Sequence, residues 1–241
     1  MSLQVKQLHF NYGKKVVLSG IDFEIQKPGI YGLIGRNGSG KTTLLELISS
    51  IRGQRYSGII SVDMIEQRSH VKQFRQHIGM LFQAEELEPR LTVLETFDSF
   101  KSLYTYKVDF YNNDELLKMF NLSKYQNKKI NELSGGLQQR VKIAITCMSK
   151  PSLILLDEPT TGLDSKYRNE FWQTLQDITE NNNLIVLLSS HDMHEIEDNC
   201  KKVMYIRHGK IKTFSDIDGL LNENKVNNLQ DYYLKMEAGE E

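Results

Sequence analysis

The chain's shortages narrow its function before any motif does. Cysteine is scarce, with Cys147 and Cys200 the two in 241 residues. They lie far apart and form no C-x-x-C, so neither a metal site nor a redox pair is indicated. Buried free thiols in a reducing compartment are expected instead. No charge of one sign prevails, with 30 Lys+Arg against 31 Asp+Glu, so no nucleic-acid partner is expected. The pairs Lys14-Lys15, Lys128-Lys129 and Lys201-Lys202 read as solvated faces. No apolar run approaches the ~20 residues needed to cross a bilayer. The opening Met1-Ser2-Leu3-Gln4-Val5-Lys6 is too polar for a signal peptide. A soluble, cytoplasmic protein that meets a membrane only through a partner is expected. Internal repeats and low-complexity segments are also lacking, and the length suits one large α/β domain with a subdomain.

What is present is a complete G-x-x-x-x-G-K-[ST] segment: Gly35, Arg36, Asn37, Gly38, Ser39, Gly40, Lys41 and Thr42. It follows an apolar run, Ile30 to Ile34, and precedes a helical pattern at Leu44, Leu45, Leu47 and Ile48, the strand–loop–helix setting of a phosphate-binding loop. Glycines let backbone N–H groups approach phosphate oxygens, and the helix presents the positive end of its dipole. Lys41 would reach the β- and γ-phosphates and the Thr42 hydroxyl would ligate Mg²⁺, with Thr43 beside them. A glycine-rich turn with a solvated lysine is the plain alternative, and it does not account for the flanking pattern.

Residues 3–27 read as short strands around a turn at Asn11-Tyr12-Gly13, and 59–62 and 78–82 as two more. From about 84 to 146 the period turns helical. Thr92 with Glu95 reads as a capping box, and Asp114 as the start of a second helix. The runs 153–156 and 184–188 are continuously apolar, as parallel strands covered on both faces are. Phe171, Trp172, Leu175 and Ile178 at helical spacing between them complete a βαβ unit, its aromatics serving as core. A hairpin turning at His208-Gly209 and a polar tail with one amphipathic helix close the chain.

Asp157-Glu158 ends the 153–156 strand. A carboxylate delivered there can hold Mg²⁺ through Asp157, and Glu158 can take a proton from an attacking water. Alone, this would be a surface acid pair; with the phosphate loop upstream it reads as chemistry. The segment Leu133-Ser134-Gly135-Gly136-Leu137-Gln138-Gln139-Arg140 opens another helix, a second anion-binding N-terminus about a hundred residues from the first. Both could serve one nucleotide within a chain, or the second could serve a nucleotide held by another copy.

With that segment the sequence resembles the ATP-binding cassette (ABC) family over essentially its whole length, most like the ATPases of ABC-2-type exporters. The family signature LSGGQ matches at Ser134, Gly135 and Gly136 and departs at Leu137. The resemblance implies that Ser134, Gly135 and Gly136 contact the ATP of an opposing subunit. It further implies adenine stacking by Tyr12, with Phe10 as the fallback, a Q-loop glutamine at Gln83 that senses Mg²⁺ and water, and Asp164 at the dimer interface. His191 would be the switch histidine at the γ-phosphate; the other five histidines read as surface or packing residues. Glu158, His191 and Gln83 are then the catalytic set, and Thr42, Gln83 and Asp157 the metal set. ATP and Mg²⁺ are the implied cofactors. The implied partners are a second ABC ATPase, in a homodimer or heterodimer, and integral membrane permease subunits. These would hold the chain at the inner face of the cell membrane.

The expected fold is α/β: a P-loop NTPase core with a mainly parallel sheet, an N-terminal antiparallel β subdomain and an inserted α-helical subdomain. Residues 1–83 and 147–215 would form the core, about 84–146 the helical subdomain, and 216–241 a C-terminal tail. The implied activity is ATP hydrolysis that drives transport, with export of a peptide, antibiotic or toxin favoured by the subfamily likeness. A non-transport ABC ATPase, such as one serving iron–sulfur assembly, is the alternative. A P-loop kinase would leave Leu133–Arg140 unexplained.

Overall fold

Continuously apolar segments become the middle of a sheet that is covered on both sides. A computed structural model describes residues 1–53, 55–81, 86–104 and 107–238. The chain begins with β1 (Leu3–Tyr12), β2 (Lys15–Ile25), β3 (Gly29–Ile34) and α1 (Lys41–Ile48). Then come β4 (Ser57–Val62), β5 (Ile65–Glu66), α2 (Val71–Gln76) and β6 (Ile78–Leu81). Three helices follow: α3 (Val93–Ser102), α4 (Asn113–Met119) and α5 (Gly135–Cys147). The chain returns through β7 (Leu153–Asp157), α6 (Ser165–Asn181), β8 (Ile185–Ser189) and α7 (Met193–Asn199). It closes with β9 (Lys202–Arg207), β10 (Lys210–Asp216), α8 (Ile217–Asn224) and α9 (Leu229–Ala238).

The larger sheet has the order β10-β9-β3-β8-β7-β6, parallel from β9 to β6, with β10 antiparallel at one edge. The N-terminal sheet, β2-β1-β4-β5, is antiparallel throughout. Because side chains alternate along a strand, each buried run is divided between two cores. Ile154 and Leu156 join one, with Phe97, Leu117 and Phe120 of the helical region and Phe171 and Trp172 of α6. Leu153 and Leu155 join the other, with α1 and the small sheet. The inserted helices thus share a core with one face of the large sheet, and the aromatics of α6 are buried there as expected. Truncating a fully buried side chain such as Phe97 to alanine would cost about 3–5 kcal/mol.

The capping box at Thr92 and Glu95 is present. Three local expectations are corrected. Helix α4 starts one residue earlier than Asp114, because Asn112 caps it, accepting from Glu115 N–H at 2.8 Å, while Glu115 accepts from Asn112 N–H at 2.7 Å. The first hairpin turns at Gly13-Lys14, since pairing runs on to Tyr12 opposite Lys15. The tail carries two helices rather than one, and α9 is seated on the core through Leu229 and Tyr232. Strand β5 and helix α2 were not foreseen. Cys147 and Cys200 are free and buried, and burial pushes both thiols well up.

Candidate functional site

Strand β3 delivers Gly35 to a turn that only glycine tolerates. Its φ is 153°, and a Cβ there would sit 2.2 Å from the Ile206 carbonyl oxygen of β9. Gly40, at φ 112°, caps α1 without any side-chain hydrogen bond. The first intrahelical bond is Leu44 N–H to Gly40 O at 2.8 Å, so the N–H groups of Lys41, Thr42 and Thr43 precede it and are available to an anion. Lys41 is buried, and its ammonium donates to the carbonyl oxygens of Gly35 at 2.6 Å and Arg36 at 3.2 Å. Burial lowers its pKa from the ordinary value, and the carboxylates of Glu158 and Asp157 act against that fall. The Ser39 hydroxyl is buried without a hydrogen-bond partner among the described residues. An orphaned hydroxyl beside a buried ammonium and an uncapped helix start is a fit for phosphate oxygens.

Gly40 and Lys41 floor a cleft of about 950 Å³ that Asn37, Gly38, Thr42 and Thr43 also line. Glu158, Thr161 and His191 form one wall, Tyr12, Lys15, Val16 and Val17 another, and His208 and Gly209 close the rim. Tyr12 is exposed in this cleft, with Phe10 edge-on at 4.9 Å and the Arg52 guanidinium 4.8 Å from its ring centroid. Phe10 itself is buried in the core of the small sheet, so only Tyr12 of the two aromatics offers a face to a ligand.

The acid pair is held by a residue that sequence reasoning passed over. Ser189, fully buried at the end of β8, pairs in register with Asp157. Its hydroxyl donates to Asp157 Oδ1 at 2.6 Å and accepts from Glu158 N–H at 3.0 Å. Glu158 is thereby kept at φ 51°, a left-handed conformation costly for a residue with a Cβ. Its Oε2 accepts from Thr161 Oγ1 at 3.2 Å and from His191 Nδ1–H. Strain at this position, countered by three neighbours, aims one carboxylate across the cleft from Lys41. The signal for Ser189 was its place one residue after an apolar strand, which in a parallel sheet sets it level with the residue ending the adjacent strand.

Four other sequence candidates are not brought to this cleft. Ser134 caps α5, accepting from Leu137 N–H at 3.4 Å. Around Gly135 there is open space, whereas a Cβ on Gly136 would meet the Tyr167 ring at 2.1 Å, so Gly136 has a packing reason of its own. Leu137 packs on the core, which suits an apolar residue at the fifth signature position. Asp164 caps α6, accepting from Tyr167 N–H at 3.0 Å, and Gln139 Nε2 donates to the Pro159 carbonyl at 2.8 Å, tying the start of α5 to the segment after Glu158. None of Ser134, Gly135, Gly136 or Asp164 lines the cleft. Gln83 lies outside the described residues.

Among the described residues no group of three or more His, Cys, Asp or Glu is placed to hold a metal. A hard cation held by Thr42 and Asp157 would leave room for phosphate oxygens and water, as Mg²⁺ commonly does. Comparison with known proteins gives one family. The ABC transporter family profile matches residues 18–161, more than half of the chain. The ABC transporter ATP-binding protein NatA of Bacillus subtilis (strain 168) is 32% identical over 225 residues, 91% of each chain. The linearmycin resistance ATP-binding protein LnrL of the same strain is 32% identical over 87% of this chain and 67% of its own. Among solved structures, the dimeric bacterial ABC transporter cassette MJ0796 superposes with a TM-score of 0.73 at 27% identity, covering 89% of this chain and 98% of its own. With its phosphate-binding loop, its acid pair and its second glycine-led helix set in this fold, the chain is an ATP-binding subunit of the ABC transporter family.

Proposed function

We propose that the chain binds and hydrolyses Mg·ATP and that the cycle drives export through separate membrane subunits. The observation that carries this reading is the split between two anion-binding helix starts. The start of α1 lies in the cleft with Glu158 and His191, while Ser134–Gly136 lies outside it. Of the two arrangements the motif allows, one nucleotide closed between two cassettes is the one this split supports. A second cassette, a copy of this chain or another ATPase, would bring its Ser134 and Gly135 over the open side of the cleft, with Asp164 at the contact.

Within the cleft, Tyr12 would stack on the adenine, and Gly35, Arg36, Asn37, Gly38, Ser39, Gly40, Lys41, Thr42 and Thr43 would hold the phosphates. Thr42, Asp157 and Gln83 would hold Mg²⁺, which supplies positive charge against the phosphate oxygens. Glu158 accepts the proton of the attacking water, and His191, bonded through Nδ1 to that carboxylate, keeps it oriented and faces the γ-phosphate. Loss of the γ-phosphate removes what bridges two cassettes, and the opening that follows is the work stroke.

No helix among the described residues is long and apolar enough to cross a membrane, and the proposed transport runs through separate membrane subunits. The likeness to LnrL, named for linearmycin resistance, supports export of an antibiotic, peptide or toxin from a position on the inner membrane face. The test is affinity purification of the Glu158→Gln chain from mild detergent extracts with ATP. A co-purifying polytopic membrane protein is the expected result. Recovery of soluble partners alone would overturn the transport reading while leaving the ATPase chemistry in place.

A further inference from the structure

The last helix of the chain ends against the phosphate loop. Helix α9 is fixed along its length: Leu229 N–H donates to Glu197 at 2.6 Å, Tyr232 shares a 2.7 Å hydrogen bond with Thr213, and Arg207 donates to the Met236 carbonyl. These contacts set Glu237 beside β9. Glu237 Oε1 accepts from the Tyr205 hydroxyl at 2.8 Å, and Tyr205 is fully buried in register with Ile34, the residue before Gly35. Its other oxygen, Oε2, is buried with no hydrogen bond among the described residues and lies 3.6 Å from Arg36 Nε. Arg36 is the first variable position of the phosphate loop, and its carbonyl accepts from both Lys41 Nζ and Ser39 N–H. The side chain bound by Glu237 thus belongs to the residue whose backbone shapes the loop around Lys41.

We propose that Glu237 is a positioning residue for the phosphate loop, holding Arg36 from the end of α9 so that the loop is preorganised for nucleotide. The proposal rests on the reading of this cleft as the ATP site. A loop already held in its binding shape loses less conformational freedom when the phosphates arrive. The benefit is shared by ATP and ADP, because the Arg36 side chain turns to Glu237 and does not line the cleft. It is also electrostatic and largely exposed on the arginine side, with Arg36 72% exposed against 15% for Glu237, so salt should weaken it.

Calorimetric titration of the full chain and Glu237→Gln with ATP or ADP, each with Mg²⁺, tests this. Glutamine keeps an oxygen for Tyr205 and removes only the charge facing Arg36. Both nucleotides should bind roughly 3–5-fold more weakly to Glu237→Gln. KM should rise while kcat stays unchanged, and the difference should shrink at high salt. Arg36→Gln should show the same loss, and adding Glu237→Gln to it should cost nothing more. Equal binding by wild type and either variant, or an undiminished Glu237→Gln effect in the Arg36→Gln background, would overturn the proposal. Should Glu237→Gln not fold, Arg36→Gln, on an exposed side chain, keeps the proposal open to refutation, since undiminished nucleotide binding by it would overturn the proposal. Absence of ATP binding to the wild-type chain would overturn the ATP-site reading and this proposal together.

Discussion

Helices α1 and α5 both begin at glycine-rich, anion-binding sequences, yet they stand in opposite situations. At α1 the cap is Gly40, no side chain closes the helix end, and the free N–H groups open into a cleft walled by Glu158 and His191. At α5 the cap is Ser134, already accepting from Leu137 N–H, and this start lies outside the cleft. The first start shares its cleft with an acid and a histidine, and the second does not. Under the proposed function, two similar motifs therefore carry different physical information: one would hold the phosphates, the other would meet a second molecule.

Substitutions should separate the two starts by size and kind of effect. Glu158→Gln should slow turnover by roughly 10²–10⁴-fold at saturating ATP with nucleotide affinity retained, since only the proton acceptor is lost. Steady-state hydrolysis and equilibrium binding on one preparation would check this, and near-wild-type turnover would remove Glu158 from the role. Lys41→Ala should weaken ATP binding by roughly 10²-fold, about 3 kcal/mol, because a buried ammonium facing the phosphates is deleted. Ser134→Ala should lower turnover by roughly 10-fold, through one lost hydroxyl contact to phosphate, and cost about 1 kcal/mol of stability through the lost cap. Urea melts alongside the kinetics would apportion those two effects.

The smallest expected effect lies far from both starts. Burial pushes the Asp63 carboxyl up, but hydrogen bonds from Ser152, the Ser2 N–H and His77 outweigh it and hold the group below its ordinary value. A depressed carboxylate stabilises the fold above its unfolded pKa, and the benefit fades as pH falls through the lower folded value. Asp63→Asn should therefore cost about 1 kcal/mol at neutral pH and progressively less below about pH 4, with ATP affinity unchanged. Melts across that pH range would test the sign.

The contrast between the helix starts also marks what the sequence could convey. Local chemistry was legible: the phosphate loop between its strand and helix, the Thr92–Glu95 capping box, and acids at the end of an apolar strand. Each depends on neighbours within a few residues. Ser189 was missed because its role depends on register between β7 and β8, which no single strand encodes. The cleft rim at His208 and Gly209 was missed for a similar reason, since β9 must first pack on Gly35. Helix α9 looked like a modest amphipathic segment, and its reach to Arg36 arises only when Tyr205 and Arg207 are in place beside it. The turn order of the first hairpin and the cap at Asn112 were one- or two-residue errors, where competing turn and cap residues lie side by side.

The central claim is that the two starts do not serve one nucleotide within one chain. It is tested most directly by ATP titration of the Ser134→Arg chain at a dilution where wild type is monomeric. An affinity equal to wild type is the expected result, since Ser134 lies outside the cleft proposed to hold the nucleotide. A loss comparable to that of Lys41→Ala would place both helix starts on the same ATP in the same molecule and contradict the account.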